Sequence, residues 1–290
     1  MSSDLTEILS RAMPTLSKGQ KRIANYIIEH PEEAAYLTAS KLGATVGVSE
    51  STVVRFAIEL GFGGYPEMHR VLQESLQKRL TSVQRVRVAN DRIPDESILD
   101  SVLMRDAEQV RATLDSIDRE AFSRAVEDIL SAKKIYIIGL RSSAALAEFF
   151  NYYLELIFHN VHLVRNTGGS ELFEQLMKME DGDVIVAISF PRYSSRVVNA
   201  VDFAKSKGAR VVAITDSEAS PIASGAHATL TSKSNMVSFA DSLVAPLSVI
   251  NALIAAIGKK KQAEISETLE SLEKVWDEYN VYNKHGDRNE

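Results

Sequence analysis

The sequence of 290 residues contains no cysteine. This absence excludes disulfides, cysteine nucleophiles and thiolate metal sites, and it is compatible with a reducing compartment. Residues 1–4 form neither a basic nor an apolar segment, so we expect no signal peptide. The most apolar run, residues 243–257, is short for a membrane span, and we expect a buried core or dimer helix there. We therefore expect a cytoplasmic protein without a membrane partner.

The chain also lacks the strongly basic character of many DNA-binding proteins, since its formal net charge is −6. The first 90 residues carry 11 Lys and Arg against 9 Asp and Glu, a net charge of +2. The remaining residues carry 22 against 30, a net charge of −8. This asymmetry permits DNA binding by the front of the chain without arguing strongly for it.

Residues 1–88 show no convincing strand pattern and are predicted to form a helical domain. Pro14, Pro31, Gly47 and a glycine-rich segment at 61–64 interrupt the helical periodicity. The polar stretch at 88–94 marks the predicted domain boundary. The predicted helices cover residues 4–12, 18–29, 38–46, 49–60 and 66–88.

The second half has a different pattern, in which short β-branched runs alternate with helical segments. Four nearly continuous apolar runs are predicted as strands, at residues 134–139, 161–164, 183–189 and 210–215. Such alternation indicates a doubly wound α/β fold with a buried parallel sheet. We predict a domain at 1–88, a linker with connecting helices at 89–124, an α/β domain at 125–262, and a terminal helix and tail at 263–290.

Residues 39–56 have the spacing of a helix-turn-helix. Apolar residues at five positions would form its small core, and Gly43 stands where the two helices cross closely. Gly47 stands at the turn, where a positive φ favours glycine, and Ser49 would cap the second helix. The five predicted core residues are Leu42, Val46, Val48, Val53 and Phe56.

In this interpretation, the second helix lies in the major groove of double-stranded DNA with its first turns toward the bases. Arg55 could pair with guanine or with a phosphate, and the hydroxyls could contact phosphates or base edges. The basic residues Lys18, Lys21 and Arg22 could contact the phosphate backbone. The alternative is an ordinary helical hairpin with a polar surface. The predicted DNA-binding residues are Lys41, Ser49, Glu50, Ser51, Thr52 and Arg55.

Two loops of the α/β domain combine hydroxyl groups with the start of a helix, at the ends of the first and third predicted strands. Backbone N–H groups and the helix dipole favour a phosphate at such positions, and Arg192 adds a positive charge. The alternative is that the serines are only helix caps. The predicted ligand-binding residues are Ser142, Ser143, Ser189, Arg192 and Ser194.

The order of these two domains resembles the RpiR family of bacterial regulators, which join an N-terminal helix-turn-helix to a C-terminal sugar isomerase (SIS) domain. The resemblance covers nearly the whole chain. It implies that serines of the first and third strand loops hold a sugar phosphate. Both loops depart from the usual SIS pattern, because Arg141 stands where glycine is common in the first, and Pro191 and Arg192 replace a Ser-Gly pair in the other. The matching segments are residues 46–56, 60–65, 139–143, 188–194, 214–217 and 220–223.

Three functions fit these observations. The first is a DNA-binding transcriptional regulator that senses a phosphorylated sugar, acts without a cofactor or catalytic residue, and forms a homodimer or homotetramer. The second is a sugar-phosphate isomerase or lyase, with Glu155 or Glu171 as the base. The third is a regulator whose sheet domain only dimerises or binds another anion. His159 and His162 are not expected to share a metal, because their side chains point to opposite faces.

Overall fold

The computed structural model describes residues 5–79, 97–165, 168, 170–235 and 240–282. The chain divides into two compact units, one containing residues 1–102 with 235–241 and the other residues 103–234 with 242–290. The predicted boundary between residues 88 and 89 lies outside the described residues, so the predicted domain limits stay predictions.

The first unit is helical, and its helices begin and end close to the predicted positions, except that the predicted end of the last one, at residue 88, lies outside the described residues. Ser17 caps α2 through a capping box with Gln20, and Thr38 caps α4 by accepting a hydrogen bond from the Lys41 amide. The short helix α3, which begins with a proline, was not predicted. The helices are α1 (Leu5–Ala12), α2 (Lys18–Glu29), α3 (Pro31–Ala34), α4 (Ala39–Val46), α5 (Glu50–Glu59) and α6 (Tyr65–Arg79).

The second unit is an α/β structure with a five-stranded, fully parallel sheet in the order β2-β1-β3-β4-β5. The four predicted strands are confirmed, whereas β5 was not predicted from its short Ala-Thr-Leu-Thr sequence. This strand order is that of a flavodoxin-like doubly wound sheet. The strands are β1 (Ile135–Gly139), β2 (Val161–Val164), β3 (Val184–Ile188), β4 (Arg210–Thr215) and β5 (Ala228–Thr231).

Helices cover both faces of this sheet. Ile135 and Ile137 belong to the hydrophobic cluster on one face, and Tyr136 and Ile138 belong to the cluster on the other. Burial on both faces explains why β1, β3 and β4 are nearly continuous apolar runs. The helices that follow α6 are α7 (Ile98–Ser116), α8 (Arg119–Leu130), α9 (Ser143–Glu155), α10 (Glu171–Leu176), α11 (Ser195–Ser206), α12 (Val244–Lys260) and α13 (Gln262–Glu278).

Helix α12 accounts for the longest apolar run. Val249, Ile250, Leu253 and Ile257 are buried in the cluster that also contains Ile135 and Ile137, so the expected core helix is confirmed. No helix within the described ranges is both long and apolar enough to cross a membrane.

A buried carboxylate lies at the amino edge of the sheet, where the strands begin. Asp128 of α8 accepts a hydrogen bond of 2.8 Å from Nη1 of Arg210, the first residue of β4. Its other oxygen lies 2.6 Å from Nδ1 of His227, which precedes β5. Two partners satisfy the charge that burial would otherwise penalise, and they fix α8 against the starts of two strands.

The crossing of α4 and α5 generates the first prediction. A Cβ atom at Gly43 would lie 2.8 Å from the Val48 carbonyl oxygen, so Gly43→Ala must push the helices apart. We expect the free energy of unfolding to fall by about 1–3 kcal/mol in urea denaturation. Ser40→Ala, an exposed change on the same helix, should stay within about 0.5 kcal/mol of the parent. Equal stability of both variants would contradict the close crossing.

Candidate functional site

The hairpin of α4 and α5 has the predicted helix-turn-helix geometry. Gly47 ends α4 with φ of 69°, in the left-handed region where glycine is least strained. Ser49 precedes α5, and its side chain accepts a hydrogen bond of 3.3 Å from the Thr52 amide. The chain therefore turns within three residues from the end of one helix to the capped start of the next.

The five apolar positions of the hairpin pack together as predicted. Leu42, Val53 and Phe56 are fully buried, and Val46 and Val48 are partly buried against the same cluster. Because this core holds the inner face of α5, the opposite face of the helix is left to solvent.

Helix α5 presents polar side chains on that outer face. Glu50, Ser51 and Arg55 are exposed, and Thr52 is partly buried. The Ser49 hydroxyl lies 2.9 Å from Oγ of Ser51 and 2.8 Å from Oγ1 of Thr52. Nε of Arg55 donates to the Ser51 carbonyl at 3.2 Å, which directs the guanidinium along the helix surface. Ser49 and Lys41 are exposed as well.

Arg22 supports the turn from a neighbouring helix. Its Nη2 donates a hydrogen bond of 2.8 Å to the Gly47 carbonyl, so this arginine stabilises the turn that the sequence analysis assigned to glycine alone. The pair is 25 residues apart in the sequence and follows no helical spacing, which is why the sequence gives no signal for it.

In the second unit, the loops after β1 and β3 lie side by side at the carboxyl edge of the sheet. The two strands are neighbours with Gly139 in register with Ile188, so they end at the same level. The chain leaves β1 toward β2 on one side, whereas β3 pairs on the other side. Ligands of open α/β sheets bind in the crevice at such a switch point.

The first loop brings α9 very close to the end of its strand. A Cβ atom at Gly139 would overlap the Ser143 carbonyl oxygen and would lie 3.0 Å from Cβ of Ala147. Ser143 is only 4% exposed at the start of α9. Ser142 stands at the N-cap position, yet its side chain makes no capping hydrogen bond. The interpretation of Ser142 as merely a cap therefore does not account for its hydroxyl.

Arg141 occupies the left-handed region of backbone conformation, with φ of 59°. This conformation costs a residue with a side chain roughly 1–2 kcal/mol. Glycine, which the resemblance to SIS loops leads us to expect at this position, would adopt the same conformation without that cost. An arginine at this position beside the crevice therefore costs conformational energy, while its guanidinium is exposed.

The second loop places serines at both of its ends. Ser189, directly after β3, is 4% exposed, and Arg192 is exposed. Ser194 holds the N-cap position of α11 without a side-chain capping hydrogen bond. The structure thus brings the predicted serines and Arg192 to one edge of the sheet, beside the starts of two helices. Their binding roles stay predictions.

Tyr193, which was not among the predicted site residues, holds this second loop in place. The Tyr193 hydroxyl donates a hydrogen bond of 2.7 Å to Oδ1 of Asp216, which follows β4. Next to it, the hydroxyls of the buried residues Thr215 and Ser220 are 2.8 Å apart. Burial raises the pKa of Tyr193, and the bond to Asp216 raises it further. The tyrosine therefore remains a protonated donor at neutral pH.

Of the two candidate glutamates, Glu155 lies away from the crevice, as does the cavity beside β2, whereas Glu171 follows β2 at the same carboxyl edge of the sheet. Glu155 is the last residue of α9, about 18 Å from Ser143 by helical rise, and Glu171 is exposed at the start of α10. A cavity of about 570 Å³ is lined by Asn151, Glu155, His162, Arg165 and Lys178, without any of the predicted ligand-binding serines. Among the described residues, no group of three or more His, Asp or Glu could hold a metal.

Two family models match the chain. Residues 3–79 match the helix-turn-helix domain of the rpiR family, and residues 128–256 match the SIS domain. The HTH-type transcriptional regulator HexR of Escherichia coli (strain K12) is 26% identical over 285 residues, which cover 94% of both chains. HexR of Pseudomonas aeruginosa is 27% identical and covers 76% of this chain and 75% of its own.

Solved structures support the same division. The sugar isomerase domain of an RpiR transcription factor from Sphaerobacter thermophilus is 28% identical, with a TM-score of 0.59 over 61% of this chain and 99% of that domain. The Vibrio vulnificus NanR protein, solved in complex with ManNAc-6P, has a TM-score of 0.56 at 21% identity, covering 97% of this chain and 100% of its own. The second similarity concerns the fold alone.

The Tyr193 hydrogen bond generates the second prediction. Tyr193→Phe removes the donor and leaves the Asp216 carboxylate without it, so the free energy of unfolding should fall by about 1–3 kcal/mol at pH 7. Because the pKa of Tyr193 is raised in the folded state, the hydrogen bond contributes fully to the free energy of unfolding below the ordinary tyrosine pKa of about 10. The contribution is lost only at higher pH. Urea denaturation should therefore give the same loss at pH 7 and pH 9.

Tyr152→Phe is the matched control, because Tyr152 is exposed on α9. It should leave the stability unchanged. A Tyr193→Phe variant as stable as this control would show that the hydrogen bond does not hold the loop.

Proposed function

The chain belongs to the RpiR family, because an rpiR-type helix-turn-helix domain precedes a SIS domain, and we propose that it is a transcriptional regulator that binds DNA and responds to a phosphorylated sugar. The proposal rests on α5, a capped helix that directly follows a glycine turn and exposes polar side chains on its outer face.

The DNA-binding part rests on the shape and chemistry of α5. A helix of this length fits the major groove, and its first turns carry the hydroxyls of Ser51 and Thr52 and the guanidinium of Arg55. Lys41, exposed on α4, can contact the phosphate backbone. Glu50 would accept a hydrogen bond from a cytosine amino group or exclude sequences without one.

The ligand-binding part rests on the crevice between β1 and β3. Ser142, Ser143, Ser189 and Ser194 supply hydroxyls there, and α9 and α11 begin at the same edge, where their N-termini favour an anion. Arg141 and Arg192 supply positive charge for a phosphate. The phosphorylated sugar in the NanR structure supports this class of ligand.

We propose that the ligand acts by binding and not by turnover. Of the two candidate bases, Glu155 lies at the far end of α9 from Ser143, too distant to serve a sugar held by that serine, so turnover would depend on the exposed Glu171 alone. A bound ligand can change operator affinity only if it prefers one arrangement of two DNA-binding units over another. We therefore expect two or four copies to act on a two-fold symmetric operator in the cytoplasm.

Selection of binding sites from random duplexes, followed by gel shift, tests DNA binding. We expect an enriched, two-fold symmetric sequence. Arg55→Ala should weaken binding to it by about 5- to 150-fold and relax the preference at one base position, whereas Lys41→Ala should weaken all sequences alike and lower the salt dependence. The physical reason is that a base contact carries sequence information and a phosphate contact does not.

Arg124→Ala is the control for this experiment, since it removes one positive charge from the exposed surface of α8. It should bind the selected sequence like the parent. Failure of the parent chain to enrich any sequence would remove the DNA-binding half of the proposal.

Calorimetry against hexose and pentose phosphates and their amino-sugar counterparts tests the ligand. Arg141→Gly should lower the affinity for the best ligand about 10- to 100-fold, because it removes a charge-assisted contact. The same change should leave the free energy of unfolding unchanged or raise it by about 1 kcal/mol, because glycine adopts a positive φ without strain.

Ser143→Ala and Ser189→Ala should also weaken binding, whereas Arg124→Ala should not. Unchanged affinity in the Arg141→Gly variant would place this arginine outside the site. Absence of heat with every compound would leave a regulator whose sheet domain serves another purpose.

A further inference from the structure

Helix α7 has its polarity inverted in the part that belongs to the second unit, residues 103–116. Leu103 and Leu114 are 58% and 61% exposed, and Met104 is 61% exposed. By contrast, Gln109 and Thr113 are only 6% and 5% exposed. The helix therefore turns Gln109 and Thr113 toward its own unit and its leucines toward solvent.

The inner face is held by hydrogen bonds. The Thr113 hydroxyl accepts a bond of 2.9 Å from the Lys233 amide, and Asp106 accepts a bond of 2.6 Å from the Ser242 hydroxyl. These contacts fix the rotation of the helix, so the apolar stripe cannot turn inward without breaking them. An amphipathic helix normally buries its apolar stripe, and a large exposed one marks an interaction surface.

We infer that this stripe pairs with the same helix of a second copy of the chain, as a short parallel coiled coil. Leu103, Ala107, Val110 and Leu114 follow the alternating spacing of four, three and four residues that such a seam requires. Ala107 and Val110 are small enough at the centre of the seam to let two helices approach. Ala107 is exposed, and Val110 is half-buried.

The charges beside the stripe favour a second copy in parallel orientation. Asp106 and Arg111 flank the seam on opposite sides and are five residues apart. In a parallel pair, side chains with this separation on the two helices face each other across the seam. Both symmetry-related pairs then join opposite charges. The hydrogen bond from the Ser242 hydroxyl fixes the Asp106 carboxylate at the edge of the stripe, where Arg111 of a second copy would meet it.

This pairing deepens the proposed action of two copies on a symmetric operator, because it names the surface that joins them. The inference is argued from the exposure and the contacts of α7, and its test uses neither DNA nor ligand. A failure of the pairing would therefore leave the operator and calorimetry experiments intact.

The absence of cysteine allows a direct test on the full chain. A two-fold parallel pairing brings residue 107 of one copy next to residue 107 of the other, so Ala107→Cys should form a disulfide-linked dimer under mild oxidation. Ala112→Cys is the matched control, because Ala112 is also exposed but lies outside the apolar stripe on the same helix. It should stay largely uncross-linked at equal concentration.

A second measurement uses the charge variant Leu103→Lys/Leu114→Lys. Its mass by light scattering should fall to half that of the parent, with unchanged circular dichroism. Equal cross-linking of the two cysteine variants, no cross-linking of either, or an unchanged mass of the lysine variant would overturn the inference. The last two results would assign the stripe to a different partner.

Discussion

Two close approaches of backbone to backbone underlie both candidate sites. At Gly43, helix α4 passes so near to the turn that a single methyl group would meet the Val48 carbonyl oxygen. At Gly139, the first turn of α9 folds back onto the end of β1, and a methyl group would overlap the Ser143 carbonyl. The first contact sets the angle at which α5 presents its outer face. The second brings the N-terminus of α9, with Ser143, directly to the sheet edge.

Much of this architecture could be predicted, because residues close together in the sequence determine it. A glycine with positive φ, a serine cap and five apolar positions specify the helix-turn-helix within 18 residues, and the structure agrees with each of them. The strands β1, β3 and β4 were predictable for a similar reason, since burial on both faces leaves continuous apolar runs. The edge strand β2 is only partly buried, and its two valines indicated a strand. Strand β5 is as short as β2 but has two threonines and an alanine among its four residues, so its hydrophobicity did not distinguish it.

The contacts that the sequence could not reveal are long-range. Arg22 reaches the Gly47 carbonyl from another helix, and Tyr193 reaches Asp216 from a neighbouring loop. Neither pair has a periodic spacing, because each depends on how separate elements come together. Helix α7 falls in the segment predicted as a linker with connecting helices, and periodicity alone cannot tell which face a helix buries. The exposure of its leucines and the hydrogen bonds of Thr113 and Asp106 show that the leucines face outward.

Arg141 shows how stability and recognition oppose each other at the crevice. Its left-handed conformation would be adopted more cheaply by glycine, so local energetics favour the residue that is common in SIS loops. A strained residue persists where its side chain serves a purpose that outweighs the cost, and such residues cluster at binding sites. In the proposed function this purpose is phosphate binding, because Arg141 directly precedes the serines at the start of α9, and α9 and α11 begin at the same edge of the sheet, where helix N-termini favour an anion. On that proposal, the permanent charge of Arg141 would raise the affinity for a phosphorylated sugar over that for a neutral sugar.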